Sequence, residues 1–293
     1  MAGSAPRNAA PLSQRVIAMV QTAEFAWWLG HVVALTLGSL YLFRLVVTFT
    51  SVPQLYYRAY LGALASYLVV IYRSHGKPRF NTEFLQRIGS DENVQYFFLT
   101  VTWYLMAPLF VTIVPFVVFS ALHVTSYLTS TVLPTVFPQI PSEVAAATAR
   151  RPAGAPSTVH ISPPARASMT LQRAYRQFNS AALNFASLWE VSVVMPALVL
   201  AAITFQGSFI APFFYAHFLR MRYVFSSKTQ QAFAFVRAKL DRFFVAPTAH
   251  PSIPPVVGQA YVKARDWIIV FGNKASQAPA ATPNATGATS RAR

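Results

Sequence analysis

The 293-residue sequence contains no cysteine, which excludes disulfides, thiolate nucleophiles and cysteine-ligated metals. Acidic residues are scarce as well: 8 Asp and Glu stand against 24 Lys and Arg, a formal charge of +16. Charged residues of both signs make up only 11% of the chain, less than half of the ~25% usual in a soluble domain. There is no HExxH or His-x3-His spacing, no glycine-rich phosphate loop and no nucleophile elbow. The six histidines, His31, His75, His123, His160, His217 and His250, are far apart in sequence. No catalytic residue, metal or cofactor is therefore expected, and an enzyme would have to assemble its site from scattered His, Asp and Glu.

What is present is apolar: 54% of residues are hydrophobic and 14% aromatic, gathered in long uncharged blocks. Blocks of this length take lipid as their solvent, and an open sheet there would leave backbone groups unpaired. The expected fold is an all-α polytopic integral membrane protein, with about four transmembrane or hairpin helices plus C-terminal amphipathic surface helices. The excess of Lys and Arg then reads as cytosolic loops that set topology and meet anionic headgroups, with no nucleic acid expected.

Residues 25–43 form the first candidate span. It opens on Trp27 and Trp28, as an interface belt would, and closes at Arg44. Residues 55–72 form a second, with Arg58 near its start, and the short connection between them makes a helical hairpin. Gly30, Ala34 and Gly38 share one face of the first helix, and Gly62 with Ser66 one face of the second, a pattern that lets backbones approach closely. The blocks 93–127 and 191–219 are too long for one upright span. Pro108 and Pro115 interrupt the first of these blocks, and Pro196, Gly207 and Pro212 the second, so each is a kinked helix or a shallow hairpin.

These readings divide the chain into a cytosolic tail (1–24), a first membrane region (25–133), a Pro/Ala/Ser-rich disordered linker (134–168), a second membrane region (169–225), basic amphipathic helices (226–271) and a disordered tail (272–293). With four simple spans the linker, which carries Arg150, Arg151 and Arg166, falls on the side opposite both termini, against the charge rule. A hairpin in 93–127 returns it to the cytosol. In the amphipathic region Phe233, Val236, Leu240, Phe243 and Phe244 share a face, with Arg237, Lys239 and Arg242 mostly away from it. Further on, Tyr261 and Ile268 lie on one face, with Lys263 and Arg265 opposite and Trp267 beside Ile268. Both segments read as helices on an anionic membrane surface, with ordinary packing against the spans as the competing reading.

Glu190 stands at the mouth of the uncharged 191–219 block, directly after Trp189. A boundary or N-terminal capping role is enough to explain it there, since a helix dipole favours an acid at that end. A transporter or channel using Glu190, Arg44 and Arg58 in a polar path is the alternative, and three charges are few for one.

The string WEVSVVMPALVLAAITFQGSFIAPFFYAHFLRMRYVFSS, with VPQLYYRAYLGALASYLVVIYRSHG and VTIVPFVVFSALHVTSYL, resembles the transmembrane protein 33 family. Its members include endoplasmic reticulum (ER) membrane proteins of animals and a fungal pore-membrane nucleoporin. The likeness rests on Tyr57 and Arg58 in the first hairpin, and on Glu190, Pro196, Gly207, Pro212, Tyr215, Arg220, Arg222 and Tyr223 in the last block. It implies a non-enzymatic protein of the ER and nuclear envelope that organises membrane and supports pore-complex assembly or distribution. It also implies reticulon-type proteins, nucleoporins and an importin as partners besides the anionic bilayer, and homo-oligomers are compatible with it. The amphipathic helices are the positions that would carry membrane and importin binding.

Overall fold

The computed structural model describes residues 10–77, 81–148 and 161–276, and among them there are helices and no strand. A short helix, α1 (Leu12–Val20), lies in what reads as a tail, and Thr22 then caps α2 (Ala23–Thr48) by accepting from the Phe25 amide at 3.1 Å. The chain turns at 49–52 and returns as α3 (Pro53–His75), its proline at the first turn where the missing N–H is harmless. A connecting helix, α4 (Thr82–Ser90), precedes α5 (Glu92–Leu105).

The 93–127 block is a hairpin. The helix breaks at 106–109, where Pro108 sits, and resumes as α6 (Phe110–Tyr127), which runs through a π turn (Leu128–Val132) into α7 (Leu133–Val136). The 191–219 block breaks in the same way. There α9 (Pro163–Trp189) passes through a π turn (Glu190–Val194) into α10 (Met195–Ile203), and the chain reverses at 204–209 into α11 (Ile210–Phe225). Each π turn lies just before a proline, Pro134 or Pro196. The ring lacks an N–H and crowds the preceding turn, and a widened turn absorbs both defects without ending the helix. Three helical stretches are long and apolar enough to cross a membrane among the described residues: Ala23–Thr48, Phe110–Val136 and Pro163–Ile203.

The first hairpin closes as its small residues suggest. A Cβ on Gly30 would fall 2.5 Å from the Gly62 carbonyl oxygen, and one on Gly62 would fall 2.6 Å from the Gly30 carbonyl oxygen. Ser66 Oγ donates to the Trp27 carbonyl at 2.8 Å across the same seam. The remaining core is aromatic, with Tyr56, Tyr60, Tyr96, Trp103, Phe116 and Tyr215 buried between the hairpins.

All three hairpins point the same way. At one end, here the tips, the Tyr57 hydroxyl donates to the Met106 carbonyl at 3.3 Å, and residues of the 106–109 and 204–209 turns line one cleft. At the other end, the base, Arg73 pairs with Glu24, His75 with Asp91 and Arg222 with Glu92. The charged connections therefore gather at the base.

The linker is shorter than the sequence suggests. Helix α8 (Ile140–Thr148) and the start of α9 occupy both of its ends, and residues 149–160 lie outside the described residues. The physical reason is a long-range staple: the Glu143 carboxylate accepts from the amide (2.8 Å) and hydroxyl (2.7 Å) of Ser162, which leads into Pro163 at the first turn of α9. After α11 come α12 (Ser227–Phe244) and α13 (Pro255–Ser276), so helix continues past 271, where a disordered tail is expected; the rest of that tail lies outside the described residues.

Candidate functional site

Glu190 corrects the sequence reading. No helix begins there, because the residue sits inside the continuous α9–α10 rod, 1% exposed, and it caps nothing. Instead the Tyr96 hydroxyl of α5 donates to its Oε1 at 2.9 Å, and the Tyr215 hydroxyl of α11 donates to its backbone carbonyl at 3.2 Å. The Arg222 guanidinium, buried at the end of α11, lies 5.0 Å from the centroid of the Tyr96 ring, pairs with Glu92 and donates to the Ser226 hydroxyl at 3.4 Å. Glu190 Oε2 and Arg222 Nε make no hydrogen bond. A buried charge is tolerable only when opposite charge and donors surround it. This junction supplies both and ties α5, the α9–α10 rod, α11 and the cap of α12 into one base. Arg44 and Arg58 are exposed near the first tip, at the opposite end from this junction, so the three residues of a polar path do not meet.

Two further contacts fix the base. His75 Nε2 lies 2.7 Å from Asp91 Oδ2, and Asp91 also accepts from the Asn93 amide at 2.7 Å as the cap of α5. Burial alone would raise the Asp91 carboxyl, but the bonds from His75 and Asn93 outweigh it and hold the group below its ordinary value. Deeper in, the His31 and His123 rings lie 4.5 Å apart, tilted by 39°, beside Trp27, and His31 Nδ1 lies 3.2 Å from the Ser120 hydroxyl.

The predicted surface residues divide into two sets. Phe233 and Val236 turn inward against the core, and Phe244 stacks on Tyr261 at 5.0 Å. Asp241 organises the α12–α13 pair. It accepts from the Tyr261 hydroxyl at 2.7 Å and from Arg265 at 3.0 Å, and pairs with Arg237 at 3.3 Å. The Tyr261 bond first, then Arg265 and Arg237, hold its carboxyl below the usual range despite the opposing effect of burial. Burial, followed by the Asp241 bond, pushes the Tyr261 phenol up to about 12. Arg265, expected to face away, is thus an internal strut. Leu240, Arg242, Phe243, Lys263, Trp267 and Ile268 do face outward, as does Lys239, whose ammonium lies 5.6 Å from the centroid of the Phe235 ring. Arg220 reaches α13 with its guanidinium 4.9 Å from the centroid of the Phe271 ring, and the Tyr223 carbonyl accepts from Gln230 at 2.8 Å.

Sequence reasoning missed Tyr96 and Glu92, whose partners lie 94 and 130 positions away, and the central place of Asp241. One signal was available: a lone acid beside an apolar block needs a donor, and nothing in the spacing says which hydroxyl supplies it.

A profile of the family described as Transmembrane protein 33/Nucleoporin POM33 matches residues 4–273. Tetra-spanning protein 1 of Schizosaccharomyces pombe is 26% identical, with 95% of each chain covered. Nucleoporin POM33 of Chaetomium thermophilum is 27% identical over 92% of this chain and 94% of its own. The pore membrane protein of 33 kDa of Saccharomyces cerevisiae is 27% identical over 87% of this chain and 86% of its own. No solved structure matches.

Proposed function

We propose that this chain, which belongs to the Transmembrane protein 33/Nucleoporin POM33 family, is a non-enzymatic membrane protein of the nuclear envelope and ER. On this reading its hairpins shape the bilayer and its C-terminal helices hold it near the nuclear pore. The observation that carries the reading is the polarity of the molecule: three hairpins whose turns are uncharged at one end and, among the described residues, the ion pairs Arg73–Glu24, His75–Asp91 and Arg222–Glu92 at the other. Such a body enters a bilayer from one side and occupies unequal area in its two leaflets. The excess of Lys and Arg in the connections supports a cytosolic base, with both termini and the linker on that side. The relatives' names supply the pore, and an anionic bilayer, nucleoporins, an importin and reticulon-type proteins are the partners this assignment brings.

The outward residues Lys239, Arg242 and Lys263 give a test that spares the core. A fluorescently tagged full-length chain is expected at the nuclear rim and in the ER, and replacing these three by Glu is expected to deplete the rim at unchanged protein level. The sequon Asn284-Ala285-Thr286 reports orientation, because only a lumenal tail is glycosylated. A glycosylated tail, or a triple variant that stays at the rim, refutes the proposal.

A further inference from the structure

The corner where α3 gives way to α4 lies at the base. Gly76 ends α3 at φ 68°, a left-handed position that lets the chain turn. Asn81 then starts α4, its side-chain oxygen accepting from the Phe84 amide at 2.8 Å. The other amides of a first helical turn have no partner within the helix, and the dipole leaves that end positive. Between the two helix ends lies a cavity of about 320 Å³, at the small end of the ~300–1,000 Å³ usual for ligand pockets. Its size suits a headgroup rather than a polypeptide.

The lining favours an anion. Lys77 and Arg87 both contribute to it, both are exposed, and neither forms an ion pair among the described residues. His75 lines the same cavity with its side chain only 6% exposed. Its Nε2 lies 2.7 Å from Asp91, whose carboxylate can only accept, while Nδ1 is buried and makes no hydrogen bond among the described residues. A buried polar nitrogen costs stability unless something supplies it with a partner. Either protonation form of that nitrogen suits a phosphomonoester: a lone pair accepts from a P–OH, and an N–H donates to an unesterified oxygen. The three such oxygens of a monoester match three sources of donors, namely the α4 amides, His75 and the two cations. Glu83 also lines the cavity and works against an anion.

Lipid is the source within reach. Phe84, Leu85 and Ile88 share the side of α4 opposite Arg87, and Leu85 is 53% exposed, the pattern of a helix lying at a membrane surface. Trp27 and Trp28 mark an interface one turn above Glu24 at this same end.

We infer that this corner binds the phosphomonoester of an anionic lipid headgroup, with the α4 amides and His75 Nδ1 on its oxygens and Lys77 and Arg87 neutralising its charge. This deepens the membrane reading and rests on it for the base lying at a headgroup layer. Recognition of a particular lipid then belongs to the exit of the first hairpin and not to the C-terminal helices alone.

The test uses the full-length chain in uncharged detergent micelles, titrated with dioctanoyl phosphatidylinositol 4-phosphate and read by isothermal calorimetry. Saturable binding is expected, with dioctanoyl phosphatidylinositol, which lacks the monoester, and inorganic phosphate each at least about tenfold weaker. Lys77→Gln with Arg87→Gln is expected to weaken binding at least about tenfold, and because both side chains are exposed and unpaired the fold is spared. His75→Gln keeps a donor at the Nε2 position for Asp91 but removes Nδ1, and is expected to cost about fivefold. Glu83→Gln is expected to tighten binding about twofold, because a like charge leaves the cavity. Equal binding of phosphatidylinositol, or unchanged binding by the Lys77 and Arg87 double variant, overturns the inference. Inorganic phosphate binding as tightly as the lipid makes the ligand a soluble anion and overturns the lipid assignment. Loss of binding on Lys239→Gln with Arg242→Gln, with Lys77 and Arg87 intact, moves the site to the C-terminal helices and overturns it as well. Unchanged affinity in His75→Gln removes Nδ1 from the site. A tagged wild-type chain that is absent from the nuclear rim yet binds the lipid defeats the proposed function and leaves the headgroup site standing.

Discussion

The seam of the first hairpin yields a prediction with a definite sign. Alanine ordinarily improves a helix by about 1 kcal/mol over glycine, so Gly→Ala should stabilise wherever space allows. Gly89, in α4, has no atom within 4 Å of a new Cβ and should show that gain. Gly62 should reverse it. Its Cβ would stand 2.6 Å from the Gly30 carbonyl oxygen and 2.9 Å from the Val33 side chain, against an ordinary contact of 3.4–4 Å. The obstacle is partly backbone, so no rotamer change relieves it, and α2 and α3 must part. Overpacking of this kind typically costs about 1–3 kcal/mol, and separation also weakens the Ser66 to Trp27 hydrogen bond. The net expectation for Gly62→Ala is a loss of about 1 kcal/mol after the propensity gain is subtracted, and for the bulkier Gly62→Val a loss of about 3 kcal/mol. Equilibrium unfolding in mixed micelles with increasing sodium dodecyl sulfate measures both, with Gly89→Ala as the opposite-sign control. Stabilisation by Gly62→Ala equal to that by Gly89→Ala would refute the close-packed seam.

Other residues give independent tests. Tyr96→Phe removes the hydroxyl that donates to Glu190 and should destabilise by about 1–3 kcal/mol in the same titration; an unchanged midpoint would show the bond to be dispensable. Asp241, whose carboxyl is held low, contributes stability that is complete above its unfolded value of about 4 and is lost as pH falls through the lower folded value. Pepsin cleavage between α12 and α13 should therefore rise at the acid end of its range, and Asp241→Asn should show the raised cleavage at every pH. A pH-independent wild type would exclude Asp241 as the link.

The hairpin of 25–72 was legible because its signals are local: uncharged runs, flanking Arg44 and Arg58, and small residues four apart. The prolines likewise announced that 93–127 and 191–219 were interrupted. What they left open, a kink or a reversal, depends on contacts such as Tyr57 to Met106 that join residues 49 positions apart. Glu190 misled for the same reason. Its neighbours in sequence describe an interface, and its neighbours in space, Tyr96 and Tyr215, describe a core. The amphipathic pattern of α12 and α13 found the helices correctly. It could not tell a face that meets lipid from one that meets protein, since Phe233 and Phe243 are equally apolar and only one is covered.

The π turn at Glu190–Val194 widens the helix without bending the chain away, so Pro163–Ile203 is one 41-residue rod about 60 Å long. Its outer arm is polar and packs along α12, while its inner arm carries the third tip. That makes it a lever whose fulcrum is the Glu190, Tyr96 and Tyr215 cluster. A force applied to the outer arm by anything that grips α12 would swing the buried end in the opposite sense. Load on the outer arm would thereby be converted into tilt at the third tip.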